Sequence, residues 1–324
     1  MSARVCVVGS FMMDLVASAP RRPARGETVI GTEFSTFLGG KGFNQAVAAA
    51  RAGAETVFVG RLGDDDFGEA FRKALRAEGI DDSAVATDSV EGTGVGLPVL
   101  EPGGQNSIIV IPRANGAVEP EHIREHAGAI ERADVVLVQL ELPLPAVVEA
   151  ARVARRSGTR VILNPAPYTG IAELRGLVDV LVPNEVELAA ISGGHRPGEL
   201  EMAARRVRAD WGCNVVATLG EHGAVLVGRA GDVARIEPHR VDAVDTIGAG
   251  DTFCGYLARS LASGTPIGDA VRVANAAAAL AVTRRGAADS APRSHEVAEF
   301  VARFSPDAAM PRRGAVTSKE ATTW

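Results

Sequence analysis

Seven residues, DTIGAGD from Asp245 to Asp251, set two acids around a run with almost no side chains. Between Ile247 and Asp251 nothing is larger than a methyl group, so the backbone amides of Gly248, Ala249 and Gly250 are open to close approach. The following TFCGYLARSLASG repeats Phe253, Cys254, Leu257 and Leu261 at helical spacing and stops at Gly264, which predicts an amphipathic helix. The small residues then lie at a helix N-terminus, where unpaired N–H groups and the positive end of the helix dipole favour an anion. Asp251 falls in the first turn of the same helix. Two readings stand at this point: an anion hole with a carboxylate beside it, or a glycine-rich turn with a capping aspartate.

A second glycine-rich stretch, GGKGFNQA from Gly39 to Ala46, also opens a helix. Lys41 is followed by Gly42 rather than Ser or Thr, so it is not a P-loop. No GxGxxG follows the first strand, which argues against a dinucleotide-dependent oxidoreductase.

The elements that must position these loops follow a β-α-β-α rhythm. RVCVVGS, TVFVGRLG, DVVLVQLEL, RVILNPAP, DVLVP and NVVATLG read as strands. FNQAVAAARAGA, FGEAFRKALRAEGI, PAVVEAARVARRSG and GDAVRVANAAAALAVTRRG read as helices, the last capped by Gly286. This alternation predicts an α/β fold with a mostly parallel sheet and helices on both faces. Residues 15–38 and 93–111 break the rhythm and read as inserted antiparallel strands, the second a hairpin around EPGGQN, together a small lid. The expectation is a single α/β domain over 1–303 and a polar, aperiodic, mobile tail over 304–324. Ligands of parallel α/β sheets bind at the carboxyl ends of the strands. Ser10 and Asp14, Glu141, Asn164, Asn184 and Glu187, Thr218, Gly220 and Gly223, and Asp245 and Asp251 all collect at such ends. Each alone is explained as a cap, but their joint placement is not.

Of the 324 residues 46% are hydrophobic and 23% charged, with a formal charge of −6 and no basic block, which disfavours nucleic-acid binding. Cys6, Cys213 and Cys254 are scattered, with no ligand spacing and no disulfide pattern, and Cys6 reads as a small core residue. There is no apolar run of bilayer length and no signal peptide, so a cytoplasmic protein without a membrane partner is expected.

The chain resembles the ribokinase family of carbohydrate and purine kinases from about Arg4 to about Pro292. Gly39-Gly40-Lys41-Gly42 with Asn44, Ala46, Gly53 and Gly63 match one family signature, and Asp245-Thr246 with Gly248-Ala249-Gly250-Asp251 match the other. QLELP, NPAP, PNEVE and TLGEHG fall between them in family order. The resemblance implies a three-layer sandwich with a small β-strand lid, and ATP-dependent phosphorylation of D-ribose at O5. It implies Asp251 as general base and the amides of Gly248, Ala249 and Gly250 as the anion hole. For the sugar it implies Met12, Asp14, Gly40, Lys41, Gly42, Asn44, Glu141 and Asp251. For the nucleotide it implies Asn184, Thr218, Leu219, Gly220, Glu221, His222, Gly223, Gly250, Asp251 and Asn275. Asn184 and Glu187 would position Mg²⁺ through water. Asp245, Ser290 and the backbone carbonyls of Ile247, Ala281, Arg284 and Gly286 would surround K⁺. A homodimer joined through the lid strands is expected, because free strand edges need cover.

Three positions depart from the family pattern. Met12 replaces the Asn that often precedes the sugar-binding Asp by two residues, and a thioether cannot donate a hydrogen bond. Arg113 stands where the family often has Gly, and Tyr256 replaces a small residue one turn past Asp251. A 2-deoxyribose kinase or a kinase for another sugar or a nucleoside therefore remains an alternative. A catalytically silent sugar or nucleotide sensor on the same fold is an alternative of another class.

Overall fold

A strand that is apolar on both faces must be covered on both faces, and the first strand, β1 (Arg4–Val8), is of that kind. Val5 and Val7 point into one core, while Cys6 and Val8 point into the other. The computed structural model describes residues 3–100, 106–194 and 198–304. The hairpin tip at 101–105 and, from residue 305 onward, the expected tail lie outside the described residues.

In chain order the elements are β1, β2 (Met12–Ser18), β3 (Glu33–Gly39), α1 (Lys41–Arg51), β4 (Glu55–Gly63), α2 (Asp66–Ala77), β5 (Asp81–Asp88), β6 (Gly94–Leu100) and β7 (Asn106–Ile111). Then come α3 (Pro120–Glu125), α4 (Ala127–Glu131), β8 (Val135–Val138), α5 (Leu144–Ser157), β9 (Arg160–Leu163), β10 (Val180–Leu181), α6 (Glu185–Ser192) and α7 (Leu200–Trp211). The remainder is β11 (Asn214–Thr218), β12 (Ala224–Val227), β13 (Val233–Ile236), α8 (Ala249–Ala262), α9 (Ile267–Ala281) and α10 (Ser294–Phe304). A nine-stranded sheet runs β13-β12-β11-β10-β9-β8-β1-β4-β5 and is parallel except where β12 pairs with β11 and β13. Residues of α1, α2, α8, α9 and α10 share the core on one face of the sheet, and residues of α3 to α7 share the core on the other. This is the three-layer α/β arrangement.

The two insertions form one separate four-stranded sheet, β3-β2-β6-β7. Its two hairpin pairs are antiparallel, as the sequence predicts, but β2 and β6 at its centre pair in parallel. The strands come from different parts of the chain and leave the body side by side, so they run the same way. The inserted sheet also begins at Met12, which puts Met12 and Asp14 on β2 itself rather than on a loop after β1. A second correction concerns Gly286. Helix α9 ends at Ala281 with Val282 as its cap, and Gly286 lies beyond it, turned to φ 96°.

Helices α1 and α8 pack closely at Gly255. A Cβ added at Gly255 would lie 2.5 Å from the Ala48 Cβ and 2.7 Å from the backbone of Gln45 and Ala49. We expect Gly255→Ala to lower stability by about 1–3 kcal/mol, the usual cost of overpacking. A thermal unfolding midpoint a few degrees lower is the readout, and an unchanged midpoint would mean that the two helices have slack.

Candidate active site

Gly248 caps α8 in the left-handed conformation, φ 74° and ψ −1°, and a Cβ there would also meet the Ala287 backbone at 2.8 Å. Only glycine fits both conditions. Ala249 and Gly250 start the helix, and an added Cβ at Gly250 would meet nothing within 4 Å, so this turn faces open space. The Ala249 N–H leans on the Thr246 carbonyl at a long 3.4 Å. Asp251 follows in the first turn and is only 7% exposed. Its Oδ2 accepts from Asn44 Nδ2 at 3.0 Å and its Oδ1 from Gln45 Nε2 at 2.9 Å. The exposed helix start thus ends beside a fixed, buried carboxylate.

The carboxyl end of β1 supplies the next layer. Ser10 Oγ donates to Glu141, and the Lys41 amide donates to Glu141 Oε2 at 2.7 Å. Burial raises the Glu141 carboxyl above its ordinary range, while the Ser10 hydrogen bond and the Lys41 charge and amide oppose it. The Lys41 ammonium is held above its own range, first by the Asp251 charge and less by Glu141 and Glu187, against burial. Asp14 projects from β2 between Gly39 and Gly96: an added Cβ on either would come within 2.4 Å of one of its oxygens. Burial, and then the Glu141 charge, push the Asp14 carboxyl up to about 6. Asn44 Oδ1 is buried and finds no hydrogen-bond partner among the described residues, leaving an acceptor open beside Asp251. Met12 is buried, and a Cβ on Gly40 would meet its backbone nitrogen at 2.8 Å. Gly42 donates to Ser10 Oγ at 3.4 Å. The structure therefore links Asp14, Lys41, Asn44, Glu141 and Asp251 through hydrogen bonds and charge.

Asn184 and Glu187 form a capping box at the start of α6. Asn184 Oδ1 accepts from the Glu187 amide at 2.8 Å, and Glu187 accepts from the Asn184 amide at 2.9 Å and from Nδ2 at 3.0 Å. Every oxygen of the pair already has one donor, which suits an outer-sphere role toward a cation that keeps its waters. Burial raises the Glu187 carboxyl. Thr218 bridges to Asn184, and Leu219 to Gly223 continue from β11 as a short turn on which Glu221 and His222 are exposed. Asn275, on α9, donates to the Glu237 carbonyl at 3.0 Å. Asp245 accepts from the Ile247 amide through Oδ1 and from the Gly286 amide through Oδ2, both at 3.0 Å. Its carboxylate therefore ties the 245–250 loop to the turn after α9. The Arg284 side chain pairs with Glu296 at 2.6 Å, so only its backbone is available to that turn, and Ser290 is buried with its hydroxyl on the Ala287 carbonyl. Asp245 brings the one carboxylate among the residues expected around a monovalent cation, and the Ala281 carbonyl there accepts from the Arg284 amide at 3.0 Å.

Two residues of this site escape sequence reasoning: Gln45 and Gln139. Gln45 is the polar residue on an apolar helix face, after Asn44, and that misfit is the signal that marks it. Arg113 acquires an account. Its φ is 47°, a conformation glycine adopts freely, which explains why the family often has glycine there. Its guanidinium donates to the Thr93 carbonyl at 3.0 Å and lies 3.8 Å from Asp65, joining the ends of β6 and β7 to the body. Tyr256 is a packing change, buried with its hydroxyl donating to the Pro292 carbonyl at 2.9 Å.

A ribokinase of Haemophilus influenzae is 38% identical over 304 residues, 93% of this chain and 99% of that protein. A deoxyribokinase of Salmonella typhi is 33% identical over 303 residues, 92% of this chain and 98% of that one. The Arabidopsis thaliana ribokinase solved with ribose and ATP is similar with a TM-score of 0.87 and 32% identity, over 93% of this chain and 99% of that one. The model of the pfkB carbohydrate kinases matches residues 2–294, so the chain belongs to the pfkB family of carbohydrate kinases.

Proposed function

We propose that the chain transfers the γ-phosphoryl group of ATP to the 5-hydroxyl of D-ribose. One observation carries this reading: the buried Asp251 carboxylate sits directly behind the open helix start at Gly248 to Gly250, with Asn44 and Gln45 holding it. Asp251 takes the proton of the hydroxyl as its oxygen bonds to the γ-phosphorus. The bond from that phosphorus to the bridging oxygen breaks and ADP leaves. The amides of Gly248, Ala249 and Gly250 stabilise the charge on the transferring group, which is where phosphoryl transfer needs help. Asp14, Lys41, Asn44 and Glu141 hold the sugar hydroxyls. The turn from Thr218 to Gly223, with Asn275, holds the nucleotide. Asn184 and Glu187 would hold Mg²⁺, which would supply neutralisation of phosphate charge. Ribokinases among the relatives, and the Arabidopsis enzyme with ribose and ATP, support the choice of donor and acceptor. The scattered free cysteines support a cytoplasmic location. A panel of pentoses, hexoses and nucleosides with ATP, read as ADP formation, tests the assignment. If ribose is not among the substrates turned over, the acceptor is wrong.

Met12 keeps 2-deoxyribose as the second reading, with the Salmonella deoxyribokinase in support. A missing neutral hydrogen bond is worth about 0.5–1.5 kcal/mol, roughly 2- to 13-fold in kcat/KM. Met12→Asn should raise kcat/KM for ribose by that order and leave 2-deoxyribose flat or lower. A parent enzyme preferring 2-deoxyribose by more than about tenfold would move the assignment to that sugar.

Asp251→Asn should keep folding and ATP binding while lowering kcat at least about 10²-fold. Activity within a few-fold of the parent removes Asp251 from the mechanism. We also place K⁺ at Asp245, Ser290 and the carbonyls of Ile247, Ala281, Arg284 and Gly286, where it steadies the glycine loop. Rates should be higher in K⁺ than in Na⁺ or a bulky organic cation at equal ionic strength, and equal rates would exclude an active site for the ion.

The small sheet acts in this proposal as a lid and as the seam of a homodimer. Its edge strands β3 and β7 expose Phe34 and Phe37, and Ile108, Ile109, Val110 and Ile111. Exposed apolar edges pair with other strands. Light scattering at micromolar concentration should give a dimer, and a monomer with and without sugar would exclude this seam.

A further inference from the structure

Gln45 is assigned no contact with sugar, nucleotide or ion above, yet it is fully buried and contacts the base directly. Its Nε2 donates to Asp251 Oδ1 at 2.9 Å and to Asn164 Oδ1 at 3.1 Å, and its Oε1 accepts from Gln139 Nε2 at 2.6 Å. Asn164 in turn donates to the Val182 carbonyl at 3.0 Å, which fixes the Asn164 oxygen toward Gln45. Gln139 is 1% exposed. The Gln45 amide can sit only one way round. Turned over, its oxygen would face the Asp251 carboxylate and the Asn164 oxygen, acceptor against acceptors. Three elements thus converge on the Gln45 amide that α1 carries: the segment after β8, the segment after β9, and α8.

We infer that Gln45 is a positioning residue for phosphoryl transfer. It anchors Oδ1 of Asp251 inside the protein and so commits Oδ2, which Asn44 holds at 3.0 Å beside its own unpaired Oδ1, to the incoming hydroxyl. Gln139 sustains this by occupying the Gln45 oxygen. The inference rests on Asp251 being the base. A carboxylate free to rotate about its last bond would spend much of its time misaligned, and misalignment costs kcat rather than binding.

The test is a mutant cycle on the full chain: Gln45→Met, Gln139→Met, Asp251→Asn and the double variant Gln45→Met/Asp251→Asn. For each, kcat and KM for ribose and for ATP are measured, with thermal unfolding as the check on folding. Gln45→Met should lower kcat about 10- to 100-fold, as expected for one hydrogen bond to a charged group, with both KM values within about threefold. Gln139→Met should lower kcat by a smaller factor, about two- to tenfold, because its bond is to a neutral amide. Added to Asp251→Asn, Gln45→Met should cost less than about twofold more, since the contact it serves is already gone. A parental kcat in Gln45→Met, a rise in KM with kcat intact, or the same factor lost again in the Asp251→Asn background overturns the inference. If Gln45→Met fails to fold, Gln139→Met decides it in the same cycle. An active Asp251→Asn overturns the base and this inference together, whereas an inactive one beside a parental Gln45→Met overturns this inference alone.

Discussion

Two helices can place an amide against a carboxylate inside a protein only if their backbones come close, and α1 and α8 come close because Gly255 has no side chain to hold Ala48 and Gln45 away. That approach lets consecutive residues of α1, Asn44 and Gln45, each reach one oxygen of Asp251. The rest of the cleft follows from where these helices begin. Helix α1 starts at Lys41, whose amide meets Glu141 and whose side chain answers the charge of Asp251. Helix α8 starts at Gly248, and its open amides end beside the same carboxylate. A packing contact one turn along α8 from Asp251 thereby sets where that carboxylate sits against Asn44 and Gln45 of α1.

The electrostatics of the cleft point the same way. Asp14, Glu141 and Glu187 are each raised chiefly by burial, and Lys41 is raised chiefly by Asp251. A triphosphate brought into so acidic a cleft needs more positive charge than one lysine gives. The helix start at Gly248 contributes a partial charge. Asn184 and Glu187 satisfy each other as a capping box, and the carboxylate of Asp245 is tied to the Gly286 amide.

Much of this is legible in the sequence because glycine and acids at strand ends have few alternative explanations when they recur. Side-chain size in DTIGAGD left an anion hole and a capped turn both open until the family resemblance chose between them, whereas the strand and helix periods predicted the layers. What stayed hidden depends on contacts between distant segments. Gln45 and Gln139 lie 94 residues apart and meet only in the folded chain. Gly286 reads as a helix cap because it follows an Ala-rich run, yet its use is to donate to Asp245, 41 residues away. The parallel pairing of β2 with β6 has no local signature, since strand direction is set by where the chain enters the small sheet. Arg113 is opaque in sequence because the reason for the family's glycine is a backbone angle, and an arginine can bear that angle when its guanidinium is fixed at Thr93 and Asp65.

The location of Asp14 bears on why such an enzyme would phosphorylate a sugar and not water. Asp14 belongs to β2 of the small sheet, pressed between Gly39 and Gly96, whereas Asp251 belongs to the body. A pentose carries hydroxyls at both ends and can engage the two carboxylates together. A water molecule at Asp251 has no reach to Asp14, so it gains nothing from bringing the small sheet toward the body. Binding free energy from the far end of the sugar can then be used to order the reacting end, which raises the rate for the sugar without raising it for water. Arg113 sits where β7 returns to the body and β6 leaves it, and its contacts with Thr93 and Asp65 tie that junction to the body. On this argument discrimination against water is a property of two sheets sharing one ligand, and the anion hole alone would not provide it.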